Sequence, residues 1–290
     1  MKWIEVKLLA NNEQVHMLSN IFMEAGIGGV LEEITPKDKK TTLLTAYVFN
    51  DDLIDKKINK LKDHLSILEI LGIDVLSTDI KIKNIEDEDW ANSWKKFFKP
   101  FNIGKFVIKP TWEEYIPKDG EFIIELDPGM AFGTGQHPTT QLCIEAMSDY
   151  LKKGNTIIDA GTGSGILCIA ADQIGMSKAY AFDNDTIASD AAKANFKRLG
   201  IEDKIIISRA DNPCHIEEKV DMVLANIIAK VILEMGKDLA EKVKDGGYLI
   251  ASGIIDYRFE EVLAELEKHN LMLVEKRKLK EWVCLVMKKN

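Results

Sequence analysis

The chain has little that would place it in a membrane or outside the cell. No apolar run in the sequence reaches the roughly 18 residues that a membrane-spanning helix needs. The first residues, 1–14, contain neither the apolar core nor the cleavage site of a signal peptide. The four cysteines are scattered, and none forms a C-x-x-C pair. These features favour a cytoplasmic protein whose cysteines stay reduced.

The sequence also lacks an excess of positive charge. Its 290 residues carry a formal net charge of −9, which argues against a protein that wraps a nucleic-acid duplex. Four acidic residues at 86–89 precede the aromatic side chains of 90–98, and their charge opposes a stacking platform for nucleic acid. We therefore expect no direct contact with nucleic acid, although the charge is compatible with a basic protein partner.

Patterns that would indicate a metal or a nucleophile are missing as well. Cys214 and His215 are adjacent in sequence and do not have the spacing of zinc ligands. No serine or cysteine nucleophile motif surrounds His137, whose role we take to be structural. We predict no metal site.

What the sequence does contain is a glycine-rich turn between a strand and a helix. Ile157 and Ile158 indicate a buried strand, and three glycines follow at alternate positions in the segment GTGSG, residues 161–165. Glycine permits a sharp turn and a close approach of the backbone to a ligand. About twenty residues later Asp183 ends the next predicted strand, where a carboxylate can accept both hydroxyls of a ribose. The pairing resembles the S-adenosylmethionine (AdoMet) site of class I methyltransferases.

The order of the predicted elements divides the chain into two domains. Residues 1–85 alternate in the order β-α-β-β-α-β, which is typical of a ferredoxin-like α+β domain. Because this domain contains no catalytic cluster, we interpret it as a substrate-recognition domain. Residues 86–100 are predicted to be a linker. Residues 101–290 alternate strands and helices and end in a hairpin near Trp282, which predicts an α/β domain with a mostly parallel, seven-stranded Rossmann-like sheet.

Two further segments are candidates for the site. The loop DPGMAFGTGQHPTT, residues 127–140, is rich in glycine and precedes the nucleotide-binding strand, so it can close over a cofactor. Asn226 ends a buried strand, and its side-chain carbonyl can hold an attacking amine in line with a methyl group. The alternative interpretation of Asn226 is a helix cap before Ile227.

Taken together, the loop, the glycine turn, Asp183 and the segment ANII (225–228) resemble the ribosomal protein L11 methyltransferase family. The resemblance implies transfer of methyl groups from AdoMet to lysine ε-amines and the α-amine of that ribosomal protein. We expect a monomer that needs AdoMet and no metal, with Asn226 as the catalytic residue. The cofactor contacts predicted from the resemblance and from the glycine turn are Thr140, Gly161, Gly163, Asp183 and Asn226, with Phe132 and Gly133 in the matching loop.

Three alternatives remain open from the sequence. A nicotinamide-dependent oxidoreductase shares the fold and the ribose carboxylate, but Ile166 stands where its third glycine would fall. A non-enzymatic adaptor that lost catalysis is disfavoured by the intact set of Gly161, Asp183 and Asn226. Methyl transfer to another protein or to a small amine is the third alternative.

Overall fold

The computed structural model describes residues 2–27, 30–35, 40–51, 53–70, 73, 76–86, 98–127 and 133–290. The chain forms two compact units, Met1–Phe97 and Phe98–Asn290. Most of the predicted linker, residues 87–97, lies outside the described residues, and the boundaries at 85 and 100 stay predictions. Within the described residues, every helix is too short or too polar to cross a membrane.

The first unit follows the predicted β-α-β-β-α-β order. Its elements are β1 (Lys2–Asn11), α1 (Val15–Glu24), β2 (Val30–Ile34), β3 (Thr41–Phe49), α2 (Ile54–Ile70) and β4 (Lys81–Glu86). The described strands form an antiparallel sheet in the order β2-β3-β1-β4. Strand β1 alternates as predicted, burying Ile4, Val6 and Leu8. The alternation of apolar residues from Thr78 to Ile85 predicts a strand that begins at Thr78, whereas β4 begins at Lys81.

The second unit begins with a small sheet that the sequence did not predict as a separate layer. Its strands are β5 (Phe101–Ile103), β6 (Phe106–Lys109) and β7 (Phe122–Glu125). Strands β5 and β6 are antiparallel, whereas β6 and β7 are parallel. Strand β7 ends just before the glycine-rich loop.

The large sheet of the second unit carries the candidate site. Its strands are β8 (Thr156–Ala160), β9 (Lys178–Asp183), β10 (Ile205–Arg209), β11 (Val220–Asn226), β12 (Val243–Ile255), β13 (Leu271–Leu279) and β14 (Trp282–Lys289). Among the described residues these seven strands are ordered β10-β9-β8-β11-β12-β14-β13. All neighbours are parallel except β14, which is antiparallel to both β12 and β13. The predicted Rossmann-like sheet with a terminal hairpin is confirmed.

Helices cover both faces of this sheet. They are α3 (Pro138–Tyr150), α4 (Ile166–Ile174), α5 (Thr186–Leu199), α6 (Ala229–Glu241) and α7 (Phe259–Glu267). Neighbouring residues of β8 enter different cores, because Ile157 packs in the cluster with α3, α4 and α5, and Ile158 in the cluster with α6 and α7. A strand buried on both faces explains the continuous apolar runs in the sequence.

The start of strand β12 also differs from the prediction. The sequence Asp245-Gly246-Gly247 predicts a turn between a helix and a strand that begins at Tyr248. In the structure, strand β12 already begins at Val243 and runs through these residues. An irregularity in its pairing with β11, between Val220 and Met222, accommodates the glycines.

Candidate functional site

Asp183 lies at the carboxyl end of β9, beside the glycine turn. Its carboxylate accepts the Gly163 backbone N–H at 2.9 Å through Oδ2 and the Asp185 N–H at 3.0 Å through Oδ1. A carboxylate oxygen has more than one acceptor position, so both atoms keep capacity for a ligand. The contact with Gly163 brings two of the predicted cofactor residues together.

The glycine turn has a backbone that other residues adopt only with strain. Gly161, Gly163 and Gly165 have φ values of +71°, +56° and +83°. A Cβ on Gly161 would lie 2.5 Å from Cγ2 of Ile227. At Gly165 it would lie 2.4 Å from Cε1 of Phe196, which is buried in α5. The glycines therefore serve close packing beneath the turn as well as its sharp bend.

The described end of the glycine-rich loop lies against this turn. The Ser164 hydroxyl donates to the Gly133 carbonyl at 2.7 Å. The loop then enters α3, where His137 is the N-cap and its Nδ1 accepts the Thr139 N–H at 3.4 Å. Burial lowers the pKa of His137, partly opposed by Glu281, so the neutral ring needed for this cap is favoured. His137 thus has the structural role expected from the sequence.

Asn226 meets the first turn of α3. Its Nδ2 donates to Oγ1 of Thr140 at 3.2 Å, and Thr140 is fully buried. The carbonyl oxygen, Oδ1, is buried and has no hydrogen-bond partner among the described residues. The alternative interpretation as a helix cap is wrong, because the N-cap of α6 is Ile228 and no side chain caps it. An orphaned buried acceptor at a strand end is typical of a ligand site.

Asp159, at the end of β8, is a polar residue to which sequence reasoning gave no role. It is completely buried, with Oδ2 accepting from the Thr162 hydroxyl at 2.8 Å and from the Cys168 thiol at 3.4 Å. Its Oδ1 has no partner within the described part of the chain. Burial raises the pKa of Asp159 to about 6, against the opposing effect of these two hydrogen bonds.

The predicted site residues that the structure describes fall into two adjacent groups. Gly161, Gly163 and Asp183 form the first group, and Thr140 and Asn226 form the second. Strand pairing brings the groups to one edge of the sheet, because β11 lies next to β8 and β8 next to β9. Gly133 joins the glycine turn through Ser164, and Phe132 lies outside the described residues.

Two side-chain contacts were missed by the sequence analysis. Ser164 and Ser252 are buried serines that hold the segment between Gly133 and Thr139. The only sequence signal was the position of Ser164 between two glycines. Among the described residues, no group of three or more His, Cys, Asp and Glu side chains is arranged to hold a metal ion.

A family profile, related sequences and a solved structure all match this chain to the same group of proteins. The family profile described as "Ribosomal protein L11 methyltransferase (PrmA)" matches residues 2–290. The proteins named ribosomal protein L11 methyltransferase from Caldanaerobacter subterraneus subsp. tengcongensis and Bacillus subtilis are each 37% identical over 311 aligned residues. The alignments cover 100% of this chain and 99% and 100% of those proteins, respectively. A crystal structure of ribosomal protein L11 methylase from Lactobacillus delbrueckii subsp. bulgaricus is 31% identical, with a TM-score of 0.62. It matches 67% of this chain and 100% of its own.

Proposed function

This chain belongs to the ribosomal protein L11 methyltransferase family, and from that premise we propose which of its residues hold the cofactor and direct the reaction. It is an AdoMet-dependent protein methyltransferase whose substrate is ribosomal protein L11. The acceptors we propose are lysine ε-amines and the α-amine. The family match does not favour a nicotinamide-dependent oxidoreductase or a non-enzymatic adaptor. It also does not favour methyl transfer to another protein or to a small amine.

The polar groups of the site fit a sulfonium nucleoside. Asp183 offers a carboxylate with free acceptor capacity beside the N–H groups of the glycine turn, which suits two ribose hydroxyls. The turn lies at the N-terminus of α4, where backbone N–H groups lack helical partners. We propose that Gly161, Gly163, Asp183, Thr140, Asn226, Gly133 and Phe132 form the cofactor site.

The observation that carries the assignment of the catalytic residue is the orphaned Oδ1 of Asn226. One N–H of Nδ2 is donated to Thr140, and this bond orients the amide so that its unpartnered polar atom is the acceptor Oδ1. An amine substrate carries N–H groups, so it can donate to Oδ1 and keep its lone pair free for attack. AdoMet, when bound, supplies a methyl group on a positively charged sulfur. The amine nitrogen forms the new C–N bond, the S–CH₃ bond breaks, and its electron pair stays on sulfur as a thioether.

The residues of the site need not include a strong base. A lysine amine has a pKa of about 10.4, so its neutral form costs roughly 4.6 kcal/mol at pH 7. Desolvation next to a cation lowers that pKa. The proton left on the methylated nitrogen passes to water. In-line positioning of the amine against the methyl group is then the main contribution of the protein, and such positioning as a whole can supply about 7–11 kcal/mol. Asn226 provides part of it.

Several properties of the protein in the cell belong to the same proposal. We infer a monomeric cytoplasmic enzyme that recognises L11 through residues 1–85 and makes no direct contact with nucleic acid. The net charge of −9 supports this inference, because it favours a basic protein partner over a polyanion. Analytical ultracentrifugation of the enzyme tests whether it is a monomer. Surface substitutions within residues 1–85 of the full chain, followed by pull-down of L11, test whether this domain recognises L11.

Intact-mass spectrometry of purified L11 tests the activity directly. L11 is incubated with the enzyme and AdoMet, and the expected result is added mass in steps of one methyl group. Matched reactions omit AdoMet or replace the enzyme with Asn226→Ala. Unchanged L11 mass, despite AdoMet binding measured by calorimetry, would contradict the proposed substrate and leave the cofactor assignment standing.

A further inference from the structure

Two buried serines hold the two ends of one short segment above the large sheet. Ser164 donates to the Gly133 carbonyl at 2.7 Å, and Ser252 donates to the Thr139 carbonyl at 2.8 Å. The exposed fractions of these serines are only 6% and 0%. The segment between the two carbonyls, residues 133–139, runs without helix or strand until α3 begins at Pro138. We call these two hydrogen bonds the serine clamp.

Ser164 belongs to the nucleoside side of the site. It lies inside the glycine turn, next to Gly163, whose N–H bonds Asp183. Its own carbonyl accepts Nδ2 of Asn195, on α5, at 2.9 Å. A Cβ on Gly133 would lie 2.8 Å from the Ser164 hydroxyl oxygen, so the contact depends on glycine at 133. Ser164 therefore sets the distance between the loop and the glycine turn.

Ser252 belongs to the acceptor side. It is the pairing partner of Asn226 across strands β11 and β12. The carbonyl that it holds belongs to Thr139, in the first turn of α3, and the next residue is Thr140, which receives Nδ2 of Asn226. A shift of this helix turn changes where Thr140 holds the Asn226 amide. Ser252 therefore acts on the orientation of the orphaned carbonyl oxygen.

We propose that the serine clamp positions the two halves of the site separately, Ser164 for AdoMet affinity and Ser252 for the methyl-transfer step. Both serines are positioning residues, since neither is assigned a contact with a reacting atom. The inference rests on the proposed function, because it takes Gly133 as a wall of the cofactor site and Asn226 as the group that orients the amine. What it adds is that loss of each hydroxyl changes a different kinetic parameter.

The size of each effect follows from a single hydrogen bond. One buried bond contributes about 0.5–1.5 kcal/mol net, which corresponds to about a two- to twelvefold change in a binding or rate constant. Ser164→Ala is expected to raise the Kd for AdoMet by that factor and to leave kcat at saturating AdoMet unchanged. Ser252→Ala is expected to lower kcat by about the same factor and to change the Kd much less.

The experiment uses the full-length enzyme with three variants. Ser189→Ala is the matched control, because Ser189 is a buried serine on α5 whose hydroxyl has no partner in the described residues. Calorimetry with AdoMet alone gives the Kd, and methylation of L11 at saturating AdoMet gives kcat and the KM for L11. Thermal unfolding of each variant reports any general loss of structure. Wild-type enzyme that failed to methylate L11 would contradict the proposed function and not the clamp.

The clamp is contradicted if both substitutions change the same parameter, or if neither changes any parameter. It is also contradicted if Ser189→Ala behaves like either of them. Should Ser164→Ala fail to fold, Asn195→Ala tests the same half, because it releases the Ser164 carbonyl from α5. We then expect a higher Kd for AdoMet with unchanged kcat, and a change in kcat alone overturns the proposal.

Discussion

The side chains of Asn226 and Thr140 join the end of strand β11 to the first turn of α3. Nδ2 of Asn226 donates to Oγ1 of Thr140 at 3.2 Å, although the two residues are 86 positions apart. This bond fixes which end of the amide is engaged and leaves Oδ1 buried without a partner among the described residues. A carbonyl oxygen held in this way can orient an amine without competing for its lone pair.

The first prediction concerns removal of this carbonyl. Asn226→Ala should lower kcat for L11 methylation on the order of 10²-fold, since misplacement of a reacting group by about 1 Å has that effect. The Kd for AdoMet, measured by calorimetry, should change much less. Asn102→Ala is a suitable control, because Asn102 also donates its amide to a side chain, Glu121, but at the protein surface. Equal kcat in wild type and Asn226→Ala would remove Asn226 from the reaction.

The second prediction concerns the carboxylate of Asp183. Asp183→Ala removes the proposed ribose acceptor and releases the Gly163 N–H, so AdoMet binding should weaken. Hydrogen bonds to a charged group contribute about 1.5–3 kcal/mol, which predicts a Kd about 10- to 100-fold higher. Asp185→Ala is the matched control, since this neighbouring carboxylate caps α5 through the Ile187 N–H at 2.9 Å. The control should lose stability and keep its affinity, and an unchanged Kd in Asp183→Ala means that the ribose is held elsewhere.

The parts of the fold that the sequence predicted are those set by local pattern. Asp183 and the glycine turn were identified together because their contact joins two residues only 20 positions apart, at the ends of adjacent strands. The family resemblance placed Thr140 and Asn226 among the cofactor residues, but the contact between their side chains was not predicted. Its distance along the chain means that tertiary packing creates it, and no periodicity reports such a contact.

The residues that sequence analysis missed have roles that depend on neighbours from distant segments. Ser252 is unremarkable in an apolar strand, and its role appears only when α3 packs over β12 and brings the Thr139 carbonyl within 2.8 Å. Strand β12 also begins earlier than predicted, because pairing with β11 overrides the turn preference of Gly246 and Gly247. Asp159 lies one residue before the end of β8, and the sequence cannot reveal that its Oδ1 has no partner among the described residues.

The third prediction is a pH dependence of stability caused by Asp159. Burial raises the pKa of this carboxyl from 3.8 to about 6, so the folded protein binds a proton that the unfolded chain releases. The resulting stabilisation is complete below pH 3.8 and is lost as the pH rises through about 6. Asp159→Asn removes the titrating group. Without AdoMet, its free energy of unfolding relative to wild type should increase between pH 5 and pH 7, by roughly 1–3 kcal/mol in total.

Urea denaturation at several pH values between 5 and 8 measures this difference. Asp221→Asn is the control with the opposite sign of shift. Burial acts to raise the pKa of Asp221, but hydrogen bonds from Thr156 and the ion pair with Lys244 outweigh it and hold the pKa below its usual value. Its difference from wild type should therefore be flat over the same range. A flat difference for Asp159→Asn as well would show that this carboxyl does not titrate there.

The fourth prediction separates the two reasons for a glycine at position 165. Gly165 and Gly154 have nearly the same positive φ value, +83° and +86°. A Cβ on Gly154 would meet nothing within 4 Å, whereas one on Gly165 would lie 2.4 Å from the Phe196 ring. Gly154→Ala should therefore cost only the backbone strain, about 1–2 kcal/mol. Gly165→Ala should cost that and a further 1–3 kcal/mol or so from overpacking, since Phe196 is only 1% exposed and has no room to move.

Urea denaturation of the two variants, with Phe196→Leu as a third, measures both contributions. Leucine at 196 leaves space next to position 165, so the double variant Gly165→Ala/Phe196→Leu should lose less stability than the sum of its single changes. Such coupling is expected for residues in direct contact. The same second change should not rescue Gly154→Ala, because Gly154 has no neighbour within 4 Å of its Cβ position. Equal losses in the two alanine variants would mean that strain alone requires glycine in the turn, and the packing of α5 beneath it would then not depend on Gly165.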